Sequence, residues 1–414
     1  MKIKYFEIDG FKNIENAHID LTDITTLMAL NSKGKSNLLK GFLFGLLMIN
    51  SVPSLRNAYY HSFDPSSKPL IKNSDYRFEI CVSTSFENED IDVIYSFTML
   101  WNQKMPVITT EYLRVQNIDS QRPVTFYIRE GAEAKYKSSK NRGADNLLEI
   151  VNTFDMFNNL LLGKKLYYES LIKELSDIKY AIDRHFDNSQ TYNAISLFQD
   201  DDFSFCGNKP ENTPQNMYIL KTNYPHYFSR IVNAMEILFP NVLELDVKKV
   251  NDDENVIGIQ NYYLLYAKQK HIDSYINCAE MSDGFKRILN NLIFLSISEI
   301  KGFQIVALEE PENSINPTVL GKYIQIIAEF TDSFNILLTS HSPFLLQYIP
   351  LGKIYIGVEN EIGNIVFKKI KPTYIKRVTE RSEKLDVTTG TYIFDILSNE
   401  ERFDKEILKD ALED

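Results

Sequence analysis

The sequence predicts an α/β fold: a mixed β sheet built from both ends of the chain, with a mainly helical lobe inserted between them. Three observations carry this reading. Near the N-terminus a short buried strand runs through a Gly/Ser/Lys turn straight into an amphipathic helix. In the last third, two apolar strands end in acidic residues and in a histidine. Between these ends, alternating runs give way to apolar positions at helical spacing.

Residues 2–9 alternate as a strand, 17–21 form its partner, and Ile24 to Leu30 is a short buried strand. The next helix sets Leu38, Leu39, Phe42, Leu43, Leu46 and Leu47 on one broad face, as a helix packed on a sheet does, and ends before Pro53. Residues 55–75 read as a Pro/Ser/Asn-rich loop. The runs YRFEICVSTSF, DVIYSFTML and VTFYIRE within 76–129 read as an antiparallel β layer. Residues 130–145 read as polar and mobile, and 146–200 and 213–238 as helical. Strands near 241–250 and 255–268 precede a helix from about Ser282, a strand at 303–308 and another at 335–340. The expected divisions are 1–145, the N-terminal part of the head; 146–240, the helical lobe; 241–370, the C-terminal part of the head; and 371–414, a tail. There is no internal repeat, and no heptad run long enough for a coiled-coil arm.

A chain of 414 residues, 44% of them hydrophobic, can bury one large core and carry a smaller lobe. Its formal net charge of −11 gives no general attraction to phosphate backbones, so a nucleic-acid contact would need a local basic patch or a basic partner. Cys81, Cys206 and Cys278 are odd in number and widely spaced, which suits a reducing compartment rather than a disulfide framework. The N-terminus reads as a strand rather than a leader, and no run approaches the ~18 apolar residues of a membrane span. The expectation is a cytoplasmic protein without a membrane partner.

Four segments carry chemistry. Residues 29–36, ALNSKGKS, occupy the frame GxxxxGK[ST] with Ala29 at the first glycine position. In that frame the backbone N–H groups of Asn31, Ser32, Lys33, Gly34 and the helix start through Asn37 cradle phosphates, Lys35 places a point charge on the outer two, and Ser36 offers its hydroxyl to Mg²⁺. Downstream, FQIVAL runs into Glu309-Glu310-Pro311-Glu312, two adjacent carboxylates at a buried strand's C-terminal tip. Glu309 is placed to hold Mg²⁺ and Glu310 to take the proton of an attacking water. The strand from Asn335 ends in Ser340-His341-Ser342-Pro343, where an imidazole can bond a phosphate oxygen or that water. Finally Ser282 caps the helix of MSDGFKR and Gly284 leaves its N–H groups uncovered, a second anion site. Taken singly, each segment has an ordinary structural explanation: a turn, a cap, a solvated acid, a packed histidine. Their order along the chain, each at the juncture its chemistry requires, selects the joint reading.

In these motifs the chain resembles the ABC-class P-loop ATPases that include the SMC and RecF heads, and most closely the ATPase domains of OLD-like nucleases and related bacterial defence proteins. EIDGFKNIENAHIDL and ITTLMALNSKGKSNLL resemble the first lobe; EMSDGFKRIL, IVALEEPENSINP and LLTSHSPFLL resemble the signature helix, Walker B with D-loop, and H-loop. The resemblance implies an ABC-type head with an inserted lobe, using ATP and Mg²⁺. It further implies that Lys12 or Asn13 touches the nucleotide, that Asn313 to Asn316 form the D-loop, and that Ser282 and Gly284 of one subunit meet the γ-phosphate held by Lys35 of another. ATP would then close a homodimer, or build a larger oligomer from such dimers. Departures are Ala29 for glycine, Ser32-Lys33 for a small pair, Met281 for leucine and Glu309 where many relatives have aspartate. No Q-loop glutamine is assigned, and residues after His341 carry no acidic cluster of a TOPRIM nuclease.

Three functions fit these residues. The preferred one is an ATPase switch whose closing and opening controls a separate effector, a nuclease or toxin, in antiviral defence. The second is a repair ATPase clamping duplex DNA through basic stretches at Lys135 to Arg142 or Lys368 to Arg377. The third is a scaffold that binds nucleotide without turnover.

Overall fold

A computed structural model describes residues 1–63, 75–101, 106–117, 123–139, 146–164, 166–183, 195–196, 203, 205–206, 209–210, 212–250, 261–330, 332–398 and 412. The chain divides into two compact units. The first comprises residues 1–179, 351–385 and 394–414, and the second residues 180–350 and 386–393.

In the first unit the opening strands β1 (Lys2–Asp9), β2 (Ala17–Asp20) and β3 (Ile24–Met28) lead into helix α1 (Lys35–Asn50). All five residues of β3 are buried, Thr25 and Thr26 included, so both faces of the strand are covered. Helix α1 is buried more widely than its one-sided pattern suggests, since Phe44, Gly45 and Met48 are enclosed along with Leu38, Leu39 and Phe42. The chain does not loop out after Pro53: helix α2 (Pro53–Phe63) follows, fixed by buried Arg56, which donates to the carbonyl of Met48 at 2.7 Å and to the side chain of Asn159 at 2.6 Å. The rest of the expected 55–75 loop, residues 64–74, lies outside the described residues.

The antiparallel layer is present and larger than expected. Strands β4 (Tyr76–Phe86), β5 (Glu89–Leu100), β6 (Val107–Asn117), β7 (Val124–Glu130), β8 (Glu133–Tyr136) and β9 (Asn146–Glu149) join β1 and β2 in one eight-stranded sheet, ordered β2-β1-β4-β5-β6-β7-β8-β9. Strand β8 corrects the expectation of a mobile 130–145: a turn at Gly131 (φ 62°) folds it back on β7, pairing Tyr127 with Tyr136. Residues 140–145 lie outside the described residues.

Residues 184–194 and 197–200 lie outside the described residues, and among the described residues of 146–200 the expected helical character is limited to α3 (Phe157–Leu160) and α4 (Glu169–Leu175). Their apolar spacing serves docking on the β layer rather than long helices. The buried Glu111 carboxylate on β6 accepts from the Phe157 N–H at 2.8 Å and from the hydroxyls of Tyr95 at 2.6 Å and Tyr127 at 3.1 Å. Burial pushes the Glu111 carboxyl above its ordinary value, so these donors supply what water otherwise would.

The second unit begins with β10 (Tyr180–Asp183) and the two-residue strands β11 (Ile195–Ser196), β12 (Phe205–Cys206) and β13 (Lys209–Pro210). Helices α5 (Thr213–Asn223) and α6 (Pro225–Leu238) match the helical reading of 213–238. Strands β14 (Val242–Val250), β15 (Asn261–Gln269) and β16 (Ile276–Asn277) form an antiparallel set. Helix α7 (Asp283–Ile300), strand β17 (Ile305–Glu309), helix α8 (Pro317–Ala328), strand β18 (Asn335–Ser340) and helix α9 (Pro343–Leu346) complete it. Strands β10, β17 and β18 are parallel neighbours, and the pairing of Glu309 with Thr339 brings the ends of β17 and β18 to one level.

The chain then returns to the first unit with β19 (Ile354–Glu359), parallel to β3, and β20 (Ile365–Lys369), its hairpin partner. Within the expected tail, helix α10 spans Pro372–Lys384. Among the described residues, no helix is long and apolar enough to cross a membrane.

Candidate functional site

The turn expected to bind phosphate lies in the first unit between β3 and α1. Ser32 (φ 63°) and Gly34 (φ 80°) both take the left-handed region, which turns successive N–H groups inward as an anion-binding concavity does. Gly34 is the N-cap of α1 and has no side chain with which to cap that end. Ala29 is not among the residues with positive φ, so this position makes no demand for glycine. Its buried methyl fits because residue 357 on β19 is glycine: a Cβ there would lie 2.9 Å from the Ala29 Cβ.

The buried Lys35 ammonium donates to the Ala29 carbonyl at 2.7 Å and the Leu30 carbonyl at 3.2 Å, across the mouth of the turn. Lys33 is turned elsewhere, onto the Glu359 carboxylate of β19. Asn31, Ser32 and Ser36 are exposed. Asn37 donates to the Asn13 side chain at 2.8 Å, tying the first turn of α1 to the N-terminal turn in which Lys12 has φ 55°.

The second cluster lies wholly in the second unit. Glu310 follows β17 with φ 50°, a conformation costing a non-glycine residue about 1–3 kcal/mol, held by its N–H donating to the Thr339 carbonyl at 2.9 Å. That twist turns its carboxylate onto two partners: Oε1 lies 2.9 Å from His341 Nδ1, and Oε2 accepts from the Asn313 amide at 2.8 Å. Two residues singled out separately in the sequence are thus directly bonded. The neighbouring Glu312 is buried; its Oε1 accepts from the Ser340 hydroxyl, whose oxygen in turn accepts from the Ser342 N–H at 2.9 Å. Among the described residues its Oε2 has no hydrogen-bond partner, and burial pushes this carboxyl above its ordinary value.

Ser282 caps α7, accepting from the Phe285 N–H at 3.3 Å. Gly284 is required by close approach: a Cβ there would lie 2.5 Å from the carbonyl oxygen of Ser314, which itself has φ 65°. Buried Arg287, one turn on, donates through Nη2 to the carbonyls of Glu309 at 2.9 Å and Glu310 at 2.8 Å, and through Nε to that of Pro311 at 3.3 Å. Reading the motifs residue by residue missed Arg287 and Glu312. The available signal was their type: an arginine and a third carboxylate inside otherwise apolar segments.

Lys35 and Ser36 therefore sit in one compact unit, and Ser282, Gly284, Glu309, Glu310 and His341 in the other. Within their own units Ser36 offers a hydroxyl and Glu309 a carboxylate, each an oxygen donor of the kind that a hard cation such as Mg²⁺ takes. Among the described residues there is no group of three or more His, Cys, Asp or Glu that could hold a metal ion. The basic stretch at 368–377 is partly neutralised: Lys369 donates to Asp20 at 2.7 Å, and Lys376 lies 3.8 Å from Glu380. Of the stretch at 135–142, residues 140–142 lie outside the described residues. A cavity of about 300 Å³ bounded by Arg230, Ile237, Leu292 and Phe330 does not include the carboxylate cluster.

Residues 30–347 match the family described as "AAA domain, putative AbiEii toxin, Type IV TA system". No curated protein is significantly similar in sequence. Among solved structures, the SMC head bound to the C-winged helix domain of ScpA is similar at 11% identity and a TM-score of 0.50, covering 90% of this chain and 99% of that one. An SMC head domain from Thermotoga maritima covers 90% of this chain and 100% of its own at 11% identity and a TM-score of 0.43. One derived from Pyrococcus furiosus, with an extended coiled coil and bound to the C-terminal domain of ScpA, covers 93% and 99%, also at 11% and 0.43. At such identity the likeness concerns the fold, and the match at 0.50 carries it.

Proposed function

The chain belongs to this AAA-domain family and has the fold of an SMC-head-type ABC ATPase, and from that premise we propose that it binds and hydrolyses ATP, dimerises head to head on ATP, and thereby regulates a separate effector, a nuclease or toxin, in bacterial antiviral defence. The observation that carries the hydrolytic reading is the Glu310 carboxylate held between His341 Nδ1 and the Asn313 amide at the end of β17. A carboxylate oriented by two partners is prepared to accept a proton from water, and an imidazole on the same carboxylate can bond the water or a phosphate oxygen.

In this reading the N–H groups of residues 31–37 bind the phosphates and Lys35 neutralises charge on the outer two. Ser36 and Glu309 are the residues that would hold Mg²⁺, which would supply charge neutralisation at the phosphates. Glu310 takes the proton of the attacking water, and His341 keeps that water or the γ-phosphate in line. Ser282 and Gly284 serve the nucleotide of the facing subunit, which makes turnover depend on dimerisation. The intact phosphate turn around Ala29 supports binding, and the Glu310 arrangement favours turnover over a passive scaffold.

The test is steady-state ATP turnover by the wild type, Lys35→Ala and Glu310→Gln, with light scattering for assembly. Lys35→Ala is expected to lose nucleotide binding and dimer together. Glu310→Gln is expected to lose turnover, by about 10²-fold or more, while retaining the ATP-dependent dimer. Equal turnover in all three proteins refutes the enzymatic reading.

A further inference from the structure

We infer that Arg287 is a positioning residue that couples the helix start bearing Ser282 and Gly284 to the Glu310 carboxylate, so that an anion engaged at the first sets the geometry of the second. The inference rests on the hydrolytic reading above and names a regulatory part within it. Arg287 is on α7, the helix that Ser282 caps, and its buried guanidinium holds three consecutive backbone carbonyls, those of Glu309, Glu310 and Pro311. These carbonyls belong to the segment in which Glu310 adopts φ 50°. A second contact runs between the same two segments, because the Ser314 carbonyl rests against Gly284. The helix start and the acidic turn are therefore clamped at two points, and a shift of α7 along its axis must carry the Glu310 backbone with it.

The residue type matters. A guanidinium is a rigid planar fork with five donors, able to fix three carbonyls at once; an ammonium has three donors on a flexible stem. A passive filler of this space could be apolar. In an assembly where the start of α7 meets one nucleotide and Glu310 serves another, this clamp gives a physical route by which occupancy of one site alters hydrolysis at the other.

The experiment compares Arg287→Lys and Arg287→Gln with wild type by thermal melting, ATP affinity measured with a fluorescent analogue, and the ATP dependence and pH profile of turnover. The expected result is near-native ATP affinity with kcat down about 100-fold in Arg287→Gln, the scale of an ångström-sized misplacement of a catalytic group. Arg287→Lys should recover part of that loss, and in Arg287→Gln the Hill coefficient for ATP should fall toward one and the pH profile of kcat should change. Wild-type turnover with unchanged kcat, Hill coefficient and pH profile in both folded variants overturns the inference and leaves the hydrolytic reading standing. Absence of turnover in the wild type overturns both. Should Arg287→Gln melt too low to assay, Arg287→Lys decides alone: a wild-type kcat and Hill coefficient there refute the coupling.

Discussion

Gly284→Ala separates a steric role from a nucleotide-binding one. An added Cβ would lie 2.5 Å from the Ser314 carbonyl oxygen and 3.5 Å from its carbon, almost an ångström inside ordinary contact with a backbone atom rather than a yielding side chain. Relief requires moving either the first turn of α7 or the 310–316 turn, whose positive-φ residues Glu310 and Ser314 leave little slack. Overpacking of this kind costs typically 1–3 kcal/mol, so about 2 kcal/mol is expected. In a unit of this size that lowers Tm by about 4–8 °C. The assay is thermal melting without nucleotide, with Gly352→Ala as control, where a Cβ would meet only the tip of Ile375 at 4.0 Å. If Gly284→Ala melts within a degree of the control, the contact with Ser314 is not the reason for this glycine.

Two pH-dependent effects follow from charge environments. His18 lies 2.8 Å from Glu7 and 3.1 Å from Asp20; hydrogen bonds to Asp20 and then Glu7 raise it to about 9 from an ordinary 6.5. Its stabilisation is complete below pH 6.5 and is lost as pH rises through about 9, so His18→Gln should lower Tm at pH 6 and converge with wild type by about pH 10. The imidazole is half exposed, so solvent screening keeps the difference below about 1 kcal/mol. Glu312 is also raised, here by burial, from an ordinary 4.5, so the folded protein holds its proton more tightly than the unfolded chain does. Wild-type stability should fall as pH rises above 4.5, and Glu312→Gln should remove that part of the slope in a Tm-against-pH series. A steeper slope in the variant would show that Glu312 is held as a stabilising anion.

The parts of the fold that could be read were those in which one period or one punctuation mark dominates. Strand β3 is buried on both faces and stands directly before the Gly/Ser/Lys turn; the sequences of β4 and β5 alternate, although in β4 the residues Phe78 to Val82 are all buried. Residues 146–179 misled because helical spacing is indifferent to length. Phe157, Leu171 and Leu175 are core positions of one- and two-turn helices, and the first of these helices is tied through the Phe157 N–H to Glu111, a residue of β6 that no local pattern connects to it. Strand β8 was hidden for a related reason, since the EAKY of a polar stretch pairs with β7 through backbone bonds that its side chains do not announce.

The site was legible where chemistry needs a particular residue at a strand end, and illegible where a contact comes from far along the chain. Glu310 and His341 could be chosen separately, but their 2.9 Å contact depends on the parallel register that sets Glu309 beside Thr339 and on the left-handed twist at Glu310. Ala29 makes the point most sharply. As a string, ALNSKGKS lacks its first glycine and looks weakened. In the fold the missing space is provided by Gly357, on the strand paired with β3, so the allowance belongs to two positions rather than one. Ala29→Gly should therefore be tolerated, whereas Gly357→Ala forces two methyl carbons to 2.9 Å beside a phosphate turn that Lys35 closes through the Ala29 carbonyl. Nucleotide affinity measured on both variants checks this: a loss in Gly357→Ala but not in Ala29→Gly is expected, and the reverse order would mean that the first position of the turn needs glycine after all.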